Sequence, residues 1–273
     1  GSVESVTEKD IVSRPVGQAS MALQGTMAGV TVTQNSGKPG AEGGVIRIRG
    51  VGTIGDSNPL VLVDGIPMSL NDIDVNEIAS ISVLKDAASA SIYGSRAANG
   101  VVLVTTKRAK KEQFTVNYRA SAGWQEPTEM VEKVSGYDHM VMINEANRNV
   151  GRPEPFTQAY VDAYRTGAPS DEYPETNWHD EMLKKRAFQQ SHYLSLNSGG
   201  ENMSLLGSLS FHDQDGIMHS NYKRVNLRIN SDIRLKENLQ FKIDLLARNE
   251  VNAEPPQSWS WLARYPHNLA GKN

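Results

Sequence analysis

Three stretches of this chain alternate apolar and polar residues over an unusual length. Phe114, Val116, Tyr118, Ala120, Ala122 and Trp124 lie opposite Thr115, Asn117, Arg119, Ser121 and Gly123. Val225, Leu227, Ile229, Ile233 and Leu235 oppose Arg224, Asn226, Arg228, Asn230, Asp232 and Arg234. Leu239, Phe241, Ile243, Leu245 and Ala247 oppose Gln240, Lys242, Asp244 and Arg248. Period two marks a strand with one apolar and one polar face. At about 11 to 14 residues, these strands outrun the usual globular strand and suffice to cross a bilayer at a tilt. Residues 193–198 and 204–211 repeat the pattern more weakly. Residues 199–202 and 236–238 read as tight turns and 125–189 and 213–221 as longer links, so short and long connections alternate, as between bilayer-crossing strands. Composition does not choose between soluble and membrane forms: 38% apolar residues with 23 glycines is globular, and a polar lumen hides a barrel from such totals.

The first 107 residues read differently. Residues 60–63 and 101–105 have the length and β-branching of buried strands. Between them Ile78, Ser80, Ser82 and Leu84 alternate with Ala79, Ile81 and Val83, and 86–93 reads as a short helix stopped by Gly94. Asp64-Gly65 and Ala98-Asn99-Gly100 supply turns. Upstream, 3–16 reads as polar and extended, 18–27 as a helix ended by Gly29, 30–33 as a strand and 35–44 as a glycine-rich loop. Over 45–49, Ile46 and Ile48 lie opposite Arg47 and Arg49. Two arginines on one face of a short strand require solvent or acidic partners.

Five blocks stand in one order: ALQGTMAGVTVTQNSGKPG at 22–40, VIRIRGVGT at 45–53, VDGIP at 63–67, IDVNEIASISVLKDAAS at 73–89 and IYGSRAANGVVLVTTK at 92–107. In that order they resemble the plug domain of TonB-dependent outer-membrane transporters, and within that superfamily the SusC branch of the Bacteroidota. The resemblance implies an α+β plug over 1–107, then over 108–273 the first antiparallel strands and extracellular loops of a transmembrane β-barrel. The family barrel has about 22 strands around its plug. About five are readable here, and closed barrels begin at about eight, so the expected fold class ends in a truncated barrel, cut in an extracellular loop after Asn249. The implied function is import of oligosaccharides or peptides across the outer membrane of a Gram-negative cell, powered through TonB, with the plug gating the lumen. The implied partners are a SusD-like surface lipoprotein, TonB, which would pull on a segment expected before Gly1, and outer-membrane lipid. Arg47 and Arg49 become plug-to-barrel contacts in a wet, charged lumen. Asp56, Ser57 and Asn58 become substrate-facing groups of an upper plug loop, or simple loop chemistry. The insert 125–189, with helical pieces at 137–147 and 157–165, is either a decorated loop or a surface for substrate or lid.

Other motifs carry less. Gly50-Val51-Gly52-Thr53-Ile54-Gly55 has the dinucleotide spacing, but that site needs a helix N-terminus behind the last glycine, and Asp56-Ser57-Asn58-Pro59 leads straight into a strand. Asp72-Ile73-Asp74-Val75-Asn76 imitates a calcium loop until Glu77 and Val83 break it, leaving a turn with a capping aspartate. Trp178-His179-Asp180-Glu181 reads as structural, and His192, His212 and His219 lack ligand spacing. With no cysteine and no G-x-S-x-G, no catalytic residue, metal or cofactor is assigned and an enzyme is not expected. Twenty-eight basic against 31 acidic residues give no footprint for nucleic acid. Trp259 and Trp261 suit stacking on a sugar ring or an interfacial girdle. The rival reading is a soluble α/β binding or signalling module with a β-rich tail, in which the apolar strand faces meet protein rather than lipid.

Overall fold

The computed structural model describes residues 3–12, 16–50, 57–86, 90–109, 114–166, 170–254 and 259–269. They group into two compact units, one of 1–123, 188–215 and 221–253, the other of 124–187, 216–220 and 254–273.

The first unit opens with strand β1 (Val3–Thr7) and a helix, Glu8–Val12, where extended chain was expected. The overlooked signal is Thr7-x-x-Asp10. The Asp10 carboxylate accepts from the Thr7 N–H at 3.2 Å and hydroxyl at 2.9 Å, half of a capping box. The helix expected over 18–27 is only a 3-10 turn, Ala19–Leu23. Gly25 at φ +71 cannot continue it, and the buried Ser20 donates its N–H to Asn71 Oδ1 (3.0 Å) and accepts at its hydroxyl from the Gly44 N–H (2.8 Å). Strands β2 (Val30–Gln34) and β3 (Gly44–Ile48) make an antiparallel pair.

Strands β4 (Leu60–Val63), β5 (Ile66–Pro67), β6 (Ile78–Leu84) and β7 (Val101–Thr106) join β1 in a mixed sheet of order β1-β6-β7-β4-β5. Only β4 and β7 run parallel. One face packs Ile81, Val83, Val102 and Val104 against Val30, Val32, Ile46, Ile48 and Leu23. The other packs Leu62, Leu84 and Val101 against Ala90 and Ala97. A register shift between Ile78 and Ser80 turns Ile78 to the side of Ile81 and Val83. Plain alternation had put it with Leu84. Of the helix expected at 86–93, residues 87–89 lie outside the described set; the helical stretch that follows is 3-10, Ser91–Ala97, and Gly94 at φ +68 is its internal kink rather than its end.

Gly100 occupies φ +90, and a Cβ there would sit 2.7 Å from Ile48 Cδ1 and 3.0 Å from the Leu84 carbonyl. Gly100→Ala is therefore expected to destabilise this domain by about 2 kcal/mol or more. Gly207→Ala, where the methyl meets nothing within 4 Å, should stay within about 0.5 kcal/mol. Urea-dependent proteolysis would read both, and equal midpoints would contradict the packing argument.

Strands β8 (Phe114–Gln125), β9 (Ala187–Gly199), β10 (Met203–Asp215), β11 (Asn221–Lys236) and β12 (Leu239–Ala253) form an antiparallel wall in sequence order. The two stretches with weaker alternation are full strands of 13 residues each. The wall's faces are inverted relative to a water-soluble sheet. Ser195, Asn197, Ser208, Ser210, Asn226 and Arg228 are buried on the inner face, while Leu194, Leu209, Leu227, Phe241 and Leu245 are exposed on the outer one.

The second unit holds the helices Gly136–Asn149, Gln158–Thr166, Trp178–Met182 and Trp259–Arg264. Glu175 accepts from the Gly136 N–H at 2.9 and 3.1 Å and faces His267 Nδ1 at 3.3 Å. Trp178 donates to the Pro266 carbonyl at 3.0 Å and packs on Tyr265. Lys133 Nζ caps the last helix through the carbonyls of Leu262 (2.6 Å) and Tyr265 (2.9 Å), and burial holds its ammonium below its usual range.

Candidate functional site

The chemistry of the first unit is concentrated where the mixed-sheet domain meets the polar face of the wall. Asp64 and Gly65 take φ +49 and +88, the paired positive values of a type I′ hairpin turn between β4 and β5. That turn aims the Asp64 carboxylate at β7 and β11. It accepts from the Thr106 N–H (3.0 Å), the Thr106 hydroxyl (2.5 Å) and Arg228 Nη2 (2.8 Å). Arg228 also donates to Thr106 Oγ1 (3.2 Å) and Asn230 Oδ1 (3.2 Å), and Asn230 donates onward to the Lys107 carbonyl at 2.9 Å.

Beside it lies Glu77. The segment 69–77 is two consecutive 3-10 turns, the first closed by a Ser69/Asp72 capping box and the second by Asp74. These turns bury Glu77 at 2% exposure, with Oε1 accepting from Ser208 (2.9 Å) and Oε2 facing Arg228 Nη1 at 3.9 Å. Burial pushes the Glu77 carboxyl up to about 7, the Asp74 charge adds to the rise, and Ser208 and Arg228 oppose it.

Two further wall arginines repeat the arrangement. Arg224 donates to the Gly17 carbonyl at 3.1 Å and stands 3.9 Å from Asp74. Arg248 pairs with Asp72 and donates to the Asn71 carbonyl at 3.2 Å. Beyond β7, Arg108 bridges Asp232 (3.3 Å) and Asp244 (2.8 Å), so the expected charged linker starts anchored. The ring of Tyr222 fills the space where a Cβ at Gly40 would be, 2.4 Å from Cδ2. Arg228 and Asp64 are 7% and 11% exposed, so breaking that pair strands a buried charge, whereas Arg108 at 28% is worth far less.

Arg47 and Arg49 find acceptors within their own domain, Arg47 on Asn58 Oδ1 (2.6 Å) and Arg49 on Asp86 (2.6 Å). Ser57 is buried and Asn58 receives Arg47, while Asp56 and the glycines of 51–55 fall outside the described residues. Trp259 and Trp261 lie in the last helix, with side chains outside the described set. His192 is on the outer face, stacked on Tyr118 and Phe211; His212 is on the inner face beside Gly17; His219 takes φ +55 in the 216–220 connection.

A domain whose aspartate turn and double-capped acidic turns latch onto the polar face of a long-stranded wall matches the profile described as TonB-dependent Receptor Plug Domain over residues 1–101. Residues 1–101 are a TonB-dependent receptor plug, and the chain is SusC-like. It is similar to TonB-dependent receptor P26 of Formosa agariphila, with 39% identity over 253 residues, 88% of this chain and 24% of that protein. It is similar also to TonB-dependent receptor SusC of Bacteroides thetaiotaomicron, with 30% identity over 267 residues, 92% of this chain and 25% of that protein. Among solved structures, the RagAB peptide transporter superposes with a TM-score of 0.77 at 29% identity, covering 93% of this chain and 31% of that one. The chain thus spans about a quarter of the length of these curated relatives.

Sequence reasoning found the plug but not its latch. Asp64 was read only as turn chemistry, Glu77 only as the residue that spoils a calcium loop, and Arg224, Arg228 and Arg248 only as members of a polar face. The available signal was their parity: all three arginines fall on the inner, lumen-type face of their strands.

Proposed function

We propose that the chain forms the plug, residues 1–107, and the first wall strands of an outer-membrane importer, in which the plug closes the lumen and TonB drives its displacement. One observation carries this reading: a sheet whose apolar face is bare and whose polar face holds the plug through buried ion pairs. The register supports a membrane band. His192, Phe211, Val225 and Asn249 align in one row across β9 to β12, above which stands the row Gln190, Asp213, Lys223 and Val251, polar on three of its four strands. From Val225 to Leu235 the outward side chains of β11 cover roughly 25 Å along the membrane normal at a tilt of about 40°, the height of an outer-membrane apolar band.

On this reading the cargo is an oligosaccharide or peptide, bound above the plug under a SusD-like lipoprotein, with Asp56, Ser57, Asn58, Trp259 and Trp261 as candidate contacts. Arg47 and Arg49 are then candidates for further plug-to-barrel contacts, and lipid covers the outer face. Intact mass and co-purifying partners, measured after mild detergent extraction of native outer membranes, test the reading. The expected result is this sequence within a much larger chain accompanied by a surface lipoprotein. Recovery at about 30 kDa from the soluble fraction without detergent would overturn it and favour the soluble module.

A further inference from the structure

Within the second unit, the joint between the insert and the chain after β12 leaves four buried side-chain atoms with no hydrogen-bond partner. They are His139 Nδ1, Tyr164 Oη, His267 Nε2 and Asn268 Oδ1. Buried polar atoms of this kind call for a water or an ion.

Glu175 is the residue around which they gather. Its carboxylate accepts from the Gly136 N–H with both oxygens and faces His267 Nδ1 at 3.3 Å. A Cβ at Gly136 would lie 3.2 Å from Asn268 Cβ, so Asn268 packs on the same helix start. His139 stands three residues along that helix, on the side of Gly136. Tyr164 feels the Glu175 charge and packs edge-on against Tyr173, two positions before Glu175.

The four atoms share one chemistry. With its Nδ1 proton turned to Glu175, His267 offers a lone pair at Nε2, and Asn268 Oδ1 only accepts. His139 and Tyr164 each have a lone pair to give. A water has two protons to donate and does not serve four acceptors, whereas a cation does. A histidine that gives one ring N–H to a carboxylate and keeps its other nitrogen free has the arrangement of a metal ligand with its supporting carboxylate. The neighbouring ammonium of Lys133 is engaged by the Leu262 and Tyr265 carbonyls. Among the described residues no three histidine, cysteine or acidic side chains form a metal set, so a site here has two histidines and is completed by neutral oxygens.

We infer that His139 and His267, with Asn268 Oδ1 and Tyr164 Oη, bind a divalent transition-metal ion that staples the insert to the chain after β12. Imidazoles with neutral oxygens suit zinc, copper or nickel rather than calcium or magnesium. Glu175 is the positioning residue, fixing the ring of His267. The inference is independent of the import reading.

Zinc is the probe. Full-length protein in detergent, made without a histidine tag and stripped with a chelator, is dialysed against Zn²⁺, and the bound metal is counted by mass spectrometry. Wild type is expected to hold one equivalent more than the double variant His139→Gln/His267→Gln. Glu175→Gln, which can still accept from Gly136, should bind about 10–100-fold more weakly. Asn268→Asp supplies a charged oxygen and should bind more tightly, while His192→Gln, on the outer face of β9, should match wild type. Cobalt in place of zinc should give visible absorption bands that the double variant lacks. Equal zinc content in wild type and the double variant would show adventitious surface binding only and overturn the site. Weaker binding in Asn268→Asp with unchanged binding in Glu175→Gln would do the same, leaving the four atoms to ordered water.

Discussion

Arg228→Met is expected to weaken the seating of the plug on the wall by about 3–5 kcal/mol, the range for removing one partner of a buried ion pair. The guanidinium touches Asp64 at 2.8 Å and faces Glu77 at 3.9 Å, and methionine would leave both buried carboxyls without this cation. Thr106 and Asn230 would each lose a partner as well. Hydrogen exchange at the Asp64-Gly65 turn and at the amides of Thr106 and Lys107, in the full-length protein in detergent, would read the loosening directly. Arg108→Met provides the contrast. Its two aspartates are more exposed, so its loss should cost no more than about 1 kcal/mol. Adding Asp64→Asn to Arg228→Met should recover part of the loss, because the stranded charge rather than the missing contact dominates. Equal effects from Arg228→Met and Arg108→Met would refute the latch.

Glu77→Gln should flatten the pH dependence of the same equilibrium. The carboxyl is raised from 4.5 to about 7 in the folded plug, by burial first and by the Asp74 charge second. A raised carboxyl favours the seated plug fully below about pH 4.5, and that stability is lost as pH climbs through 7. The total swing is at most about 3 kcal/mol. The groups facing Glu77 are Asp74 on its own turn, Ser208 on β10, Arg228 on β11 and, from β9, Tyr193. Only Arg228 is a cation among them. In Arg228→Met the carboxyl should therefore rise further, and the loss should extend to higher pH. Glutamine keeps the shape and can still accept from Ser208, so the variant should seat as firmly at pH 8 as at pH 5. An unchanged slope in Glu77→Gln would assign the pH dependence elsewhere.

Much of this architecture was legible because strands write their faces in period two. The wall strands, the short turns at 199–202 and 236–238, and the buried strands β4 and β7 all stand where the residues indicated, while the parallel pairing of β4 with β7 was not indicated. Helical turns were less legible. Within 3–27, one helix was missed because its capping box is closed by Asp10, and another shrank to a 3-10 turn because Gly25 and the bonds of Ser20 outweighed the apolar spacing. The shift at Ile78 hid for a similar reason: a bulge changes parity without changing composition.

Residues alone determined that the wall has an apolar and a polar face, since a side-chain period of two leaves a strand no other choice. They also determined that Asp64-Gly65 turns the chain, since a type I′ turn favours residues that tolerate positive φ. Which charge answers which was decided only by the tertiary structure. Asp64 and Arg228 are 164 positions apart, and Glu77 lies 131 from Ser208. Their meeting depends on how the plug is seated against the register of β10 and β11, and a strand's own alternation carries no record of that placement. The same seating makes Glu77 a buried acid rather than a solvated one, because desolvation belongs to the surroundings and not to the side chain.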